Sequence, residues 1–219
     1  MHVLHCEFPD DAFYDVENDV WLKEIPNGNV KLGITSVLSF LAGHIQKLDL
    51  KTENFEVQAG QSIGTIESVK YFGAIRSPIG AKIAKFNLEV ERDPRLVNSK
   101  PYEEGWIAEL AEFDQKTLAS LAKGSEASKK LEARISELKV KCFKKLPDKE
   151  LFSVGSECLT TLANLNEMLE KSKRGTTVHI VSDDPFAEIE MTRWADQTGN
   201  ELLETREEGK LVHFLIEKN

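Results

Sequence analysis

The sequence predicts an α+β protein in two folded parts, and three observations predict it. The first is the pattern of apolar residues. Up to about residue 113 they fall into short runs broken by turn residues, as in antiparallel strands. From about residue 150 strand-like and helix-like runs alternate. The second is charge. Residues 1–113 carry 11 basic and 18 acidic side chains, residues 114–150 carry 10 and 6, and residues 151–219 carry 7 and 13. A basic stretch therefore separates two acidic blocks. The third is the balance of 219 residues at 41% hydrophobic content, which is enough for packed cores. The longest uncharged apolar stretch, Ser36 to Ile45, falls well short of the ~20 residues that a membrane-spanning helix needs.

In order along the chain, residues 20–23 and 30–34 read as strands around the turn Pro26-Asn27-Gly28. A short helix is expected over 35–42. Strands follow at 45–50, 62–68, 74–77 and 81–86, so the first block should be a sandwich or small barrel. Residues 115–145 contain no proline and read as one helix. Leu131, Ile135, Leu138 and Cys142 lie along one face of it, and Pro147 closes it. The last block reads βαβαββ: a strand at 150–154, a helix over 156–173 stopped by Gly175, a strand at 177–182, a helix opened by Asp183-Asp184-Pro185 and ended by Gly199, and a hairpin of 201–206 and 211–217. The expected domains are 1–125, a basic helical linker at 126–149, and 150–219. The linker should dock on one domain by its narrow apolar stripe; the other reading is a basic surface for an acidic partner.

Composition excludes several function classes. A net charge of −9 argues against nucleic-acid binding. No Lys or Arg precedes Lys23, so no secretory signal is expected. Cys6, Cys142 and Cys158 cannot all pair within one chain, and reduced thiols in the cytoplasm are the simplest expectation. His2, His5 and Cys6 lack a fourth ligand, so no metal is assigned. Cys142 should serve packing. His44, His179 and His213 stand alone in the sequence, and no catalytic residue is assigned.

Two residues carry candidate chemistry. Lys70 lies in a turn between two strands. A lysine there is ordinarily a solvated charge, yet a swinging covalent arm needs such a lysine, fixed at one end on a rigid sheet. Cys158 lies two residues after Ser156, a good helix N-cap. Helix N-terminal amides favour a thiolate, while Glu157 opposes one; a partly buried small apolar residue is the other reading.

Four pieces of the first block, in order, resemble the glycine cleavage system H protein family of lipoyl carriers. They are Asp19-Val20-Trp21-Leu22, then Val30-Lys31-Leu32-Gly33-Ile34-Thr35. Next comes Gly64-Thr65-Ile66-Glu67-Ser68-Val69-Lys70 with Ser77-Pro78-Ile79-Gly80. Last is Leu96-Val97-Asn98 with Pro101-Tyr102 and Gly105-Trp106. The resemblance implies an all-β lipoyl domain of the hammerhead (barrel-sandwich hybrid) type with a C-terminal helix. It also implies lipoate amide-linked to Lys70, and Glu67 read by the lipoate-attaching enzyme. Tyr102 and Trp106 should pack the sheet rather than touch the arm. The sequence departs from the family at Asn18-Asp19, where His-Glu is common, and at Tyr71-Phe72, where small residues follow the lysine.

Residues about 150–219 resemble the TusA/SirA-type sulfur-carrier family, a two-layer α/β sandwich. The resemblance rests on Gly155-Ser156-Glu157-Cys158, Gly175-Thr176-Thr177-Val178, Ser182-Asp183-Asp184-Pro185 and the final hairpin. It implies a persulfide on Cys158, although both prolines of the family's Cys-Pro-x-Pro motif are missing. Together the resemblances imply a cytoplasmic lipoyl-carrier protein, not an enzyme. It would present an arm on Lys70 to glycine decarboxylase-type or sulfur-metabolism enzymes. The alternative is a sulfurtransferase using Cys158, with the first domain as a docking module.

Overall fold

The computed structural model describes all of residues 1–219. The chain divides into two compact units, Met1–Cys142 and Phe143–Asn219. The first unit opens on a small hairpin of β1 (His2–Val3) and β2 (Cys6–Glu7). Three strands follow: β3 (Phe13–Asp15), β4 (Val20–Glu24) and β5 (Val30–Ile34). Helix α1 (Ser36–Ala42) leads into β6 (Ile45–Leu50), β7 (Glu56–Val57), β8 (Ser62–Ser68), β9 (Phe72–Arg76) and β10 (Ala81–Phe86). Two single-turn helices, α2 (Leu88–Arg92) and α3 (Arg95–Ser99), precede β11 (Ala108–Ala111), α4 (Gln115–Ala119) and α5 (Gly124–Leu138).

A six-stranded sheet in the order β3-β4-β5-β11-β10-β7 faces a three-stranded sheet in the order β6-β8-β9. The apolar residues of both inner faces, among them Val20, Leu22, Leu32, Ile34, Ile63, Ile66, Ile75 and Ile83, form one core. Strand β4 also faces a second core on its other side. There Trp21 and Tyr14 meet Val3, Cys6 and Phe8, with Ala127, Leu131 and Ile135 from α5. That two-sided burial explains why Val20, Trp21 and Leu22 are all apolar instead of alternating.

The region expected to be one helix over 115–145 is two helices. Helix α5 packs into the first unit by Leu131 and Ile135, as the docked-stripe reading anticipates. Lys139 turns left-handed to end it, so Cys142 lies beyond the helix. The unit boundary falls at 142/143, not at 125. Cys142 forms a disulfide with Cys6, with their Cα atoms 5.0 Å apart. The expectation of three reduced thiols is thus corrected: the fold brings two cysteines 136 residues apart together in the second core, a proximity that sequence spacing does not report.

The second unit has the expected βαβαββ order: β12 (Lys149–Ser153), α6 (Cys158–Glu170), β13 (Thr177–Ser182), α7 (Ala187–Thr198), β14 (Glu201–Glu208) and β15 (Leu211–Glu217). Its sheet runs β12-β13-β15-β14, parallel only between β12 and β13. Leu165 and Leu169 of α6 and Met191 and Trp194 of α7 pack on Val178, Ile180, Phe214 and Ile216, giving a two-layer sandwich. No helix of the chain is long and apolar enough to cross a membrane.

Gly33 marks a point of close packing in the sheet. A Cβ there would lie 2.6 to 2.8 Å from three atoms of the Trp21 ring, which is fully buried and donates through Nε1 to the Pro101 carbonyl at 3.1 Å. Gly33→Ala is expected to cost about 1–3 kcal/mol by overpacking. A denaturant midpoint equal to that of the unchanged chain would refute this account of the glycine.

Candidate carrier lysine and thiol sites

Lys70 sits at the exposed tip of the β8–β9 hairpin. The Ser68 amide donates to the Tyr71 carbonyl at 2.8 Å, closing the turn. The Ser68 hydroxyl then organises it. Its Oγ accepts from the Lys70 amide at 3.1 Å and the Tyr71 amide at 3.0 Å, and donates to the Ala42 carbonyl at 2.6 Å. The turn is therefore anchored to the C-terminal end of α1.

That end is fixed in its turn by Asn98. The Asn98 amide nitrogen donates to the Ser39 and Gly43 carbonyls at 3.3 and 3.0 Å, and its oxygen accepts from the Ile45 amide at 2.8 Å. At the start of α1 the Tyr102 hydroxyl accepts from the Ser36 amide at 2.8 Å. The residues of the Leu96–Trp106 segment thus build the support beneath the lysine. Tyr102 and Trp106 pack against the second core, as expected of them. Sequence reasoning did not single out Ser68 or Asn98; the usable signal for Ser68 was a serine two residues before a turn lysine.

The apolar stem of Lys70 passes Gly43, where an added Cβ would lie 3.7 Å from its Cδ. Val69 and Phe72 flank the lysine at 85% and 72% exposure, so the tip is both accessible and apolar. Tyr71 takes a different course and folds back: a Cβ on Gly73 would lie 2.3 Å from the Tyr71 hydroxyl. Glu67 is exposed and stands in register with Phe72 on one side and Lys47 on the other. Asp19, at the departure from the family pattern, is buried in a left-handed turn (φ 53°) and accepts from Arg134 of α5 at 2.7 and 3.3 Å.

In the second unit Cys158 is the first residue of α6, and it is free and 9% exposed. Ser156 does not cap this helix; Glu157 occupies the cap position without a side-chain bond. The cap comes from Asp184, two residues past the end of β13. Its Oδ2 accepts from the Cys158 amide at 2.9 Å and its Oδ1 from the Phe186 amide at 2.8 Å. Asp183 Oδ1 accepts from the Gly155 amide at 2.7 Å. The positive end of the helix is thus spent on a carboxylate. Burial first, then the charges of Asp184 and Glu190, push the Cys158 thiol up from its ordinary value. His179 and His213 do not stand alone: they are buried on neighbouring strands, stacked at 5.2 Å, with Nε2 of one 2.9 Å from Nδ1 of the other.

The glycine cleavage H-protein family model matches residues 12–134. The chain belongs to the glycine cleavage H-protein family. Residues 154–218 match the sulfurtransferase TusA family model. Among curated relatives, "Probable glycine cleavage system H protein 2" of Sulfolobus acidocaldarius is 33% identical over 140 residues, covering 63% of this chain and 94% of the relative. "Glycine cleavage system H protein 3" of Aquifex aeolicus is 31% identical over 143 residues, covering 64% and 89%. The crystal structure of a glycine cleavage system H protein from Mycobacterium marinum is similar in fold to this chain. It shares 24% identity at a TM-score of 0.50, covering 61% of this chain and all of that one.

Two outcomes test these sites. Ser68→Ala removes the hydroxyl's bonds within the turn and to Ala42 and should cost about 1–2 kcal/mol while speeding amide exchange at Lys70 and Tyr71. Unchanged exchange there would remove Ser68 from the account. For Cys158, a raised pKa means a protonated thiol at neutral pH, so alkylation by iodoacetamide should be slow at pH 7. It should rise through a midpoint above the ordinary 9.0. Asp184→Asn should lower that midpoint. A midpoint at or below that of the unfolded chain would contradict the burial argument.

Proposed function

We propose that this chain is a lipoyl carrier, with lipoate held in amide linkage on Lys70 Nζ. The observation that carries the proposal is the construction of the β8–β9 turn: an exposed lysine on a backbone pinned through the Ser68 hydroxyl to α1. The residues present fit the group. The tip is open to a modifying enzyme, and the stem crosses a glycine rather than a side chain. When bound, lipoate supplies a disulfide that cycles to a dithiol or an S-substituted form. The chain's own residues do the rest. Ser68 and Ala42 fix the fastening point, Val69 and Phe72 give it apolar flanks, and Glu67 marks the hairpin for the lipoate-attaching enzyme. In this reading the chain catalyses no reaction itself and works in the cytoplasm.

The TusA-type second unit supports sulfur-metabolism enzymes over glycine decarboxylase-type enzymes as partners, with Cys158 as a persulfide site in the same chain. The alternative is a sulfurtransferase using Cys158, with the first domain as a docking module; the buried, carboxylate-flanked thiol slows attack by Cys158 in either role.

The test is peptide mass spectrometry on the full chain produced with a lipoate-attaching enzyme and lipoate. The expected result is a lipoyl adduct on Lys70, absent in Lys70→Arg and reduced in Glu67→Ala. An unmodified Lys70 in the unchanged chain would end the carrier reading. Additional sulfur on Cys158 after exposure to a persulfide donor, lost in Cys158→Ala, separates sulfur metabolism from glycine cleavage.

A further inference from the structure

We propose that the Cys6–Cys142 disulfide is a dithiol-reducible clasp that controls how firmly the Lys70 turn is held. The proposal deepens the carrier reading of Lys70 and takes its biological meaning from it, though its structural readout does not depend on lipoylation.

The argument begins with where the disulfide sits. Its half-cystines are 0% and 2% exposed, and they close a loop of 136 residues, nearly the whole first unit. Both lie in short segments outside the two main sheets of the first unit. Strands β1 and β2 are two residues long and pair only with each other. Cys142 lies past the end of α5 in no helix or strand. Short terminal segments outside the main ladders are where a fold opens first, so local opening there is the route by which a dithiol would reach the buried sulfurs.

Next is what the disulfide touches. Cys6 adjoins Glu7, whose carbonyl accepts from Ser36 Oγ at 2.9 Å at the first residue of α1. The last residue of that same helix is Ala42, whose carbonyl accepts from Ser68 Oγ beneath Lys70. One seven-residue helix therefore has the disulfide-bearing strand at its start and the lysine turn at its end. Helix α5 adds a second hold on the strand, with Leu131 and Ile135 in the same core as Val3, Cys6 and Phe8. With the disulfide closed, β2 is pinned from both sides and α1 has a fixed footing. With it open, β2 keeps its pairing with β1, the Met1–Phe8 backbone bonds, its side-chain packing and the Ser36 bond, and loses its covalent tie to the segment after α5.

The reaction is ordinary thiol–disulfide exchange. A thiolate of the dithiol attacks one half-cystine sulfur, the S–S bond breaks, and the other cysteine leaves as a thiolate that takes up a proton. The second thiol of the reagent then displaces the first cysteine and closes its own disulfide. Two electrons and two protons pass from the dithiol to the protein. A dithiol suits this site better than a monothiol, because a mixed disulfide beside a freed neighbouring cysteine reverts unless the reagent carries its own second thiol.

The experiment compares the full chain before and after treatment with dithiothreitol at fixed pH, without denaturant, by site-resolved hydrogen exchange. Residues 177–182 of the second unit serve as the internal reference. Reduction should speed exchange at the Lys70 and Tyr71 amides by about five- to thirtyfold and leave the reference unchanged. Cys142→Ser should show the fast exchange with or without dithiol, and Cys6→Ala serves if that variant folds poorly. Equal exchange at 70–71 in both redox states would overturn the proposal. So would a disulfide that resists dithiol in the folded chain, or a loss of protection spread evenly over the first unit, which marks a simple staple. Failure of the carrier reading looks different: Lys70 stays unmodified by the attaching enzyme in either redox state, while the exchange comparison still decides the clasp.

Discussion

The last carbonyls of a helix have no partners of their own, and in α1 they are satisfied by side chains from far along the chain. Ser68 reaches the Ala42 carbonyl, and Asn98 reaches those of Ser39 and Gly43. These few bonds join the helix, the lysine hairpin and the segment before β11 into one support. Each partner is also the only kind of residue that serves. Ser68 needs a hydroxyl that donates once while accepting twice, and Asn98 needs an amide that donates on one side while accepting from Ile45 on the other. An exposed lysine is common; one whose backbone is this firmly tied is not.

The two units handle charge near their candidate groups differently. At Lys70 the flanking side chains are apolar and exposed, which favours attachment of a long apolar group. At Cys158 the flanking groups are carboxylates, and one of them takes the helix terminus that would otherwise lower the thiol's pKa. The first arrangement leaves its lysine exposed among apolar neighbours, and the second buries its thiol beside carboxylates that oppose its ionisation.

Much of this was legible in the sequence, for identifiable reasons. β5, β6, β8, β10, β13 and β15 were readable to the residue because each is an apolar or alternating run set off by turn-forming or charged residues. The lysine's place at a hairpin tip followed from the same pattern. What stayed hidden depends on contacts distant in sequence. The Cys6–Cys142 bond, the Arg134–Asp19 pair and the His179–His213 contact join residues that no local period relates. The helix over 115–145 was overextended because Gly124 and Lys139 break it by backbone conformation, with no proline to announce either break. The nearest serine is the obvious cap for α6, whereas the capping carboxylate arrives from the loop after β13.

The placement of Phe143 has a practical consequence for anyone dividing this chain. Its ring lies 4.5 Å from that of His179, and it is the first residue of the second unit. A cut at 149/150, where the regular βαβαββ pattern begins, would strip that ring from the buried His179–His213 pair. A cut at 125/126 would take α5 from the first unit and lay open the core around Trp21. The severance that leaves both halves with their own cores is the single peptide bond between Cys142 and Phe143. Expression of the halves as separate proteins should begin and end there.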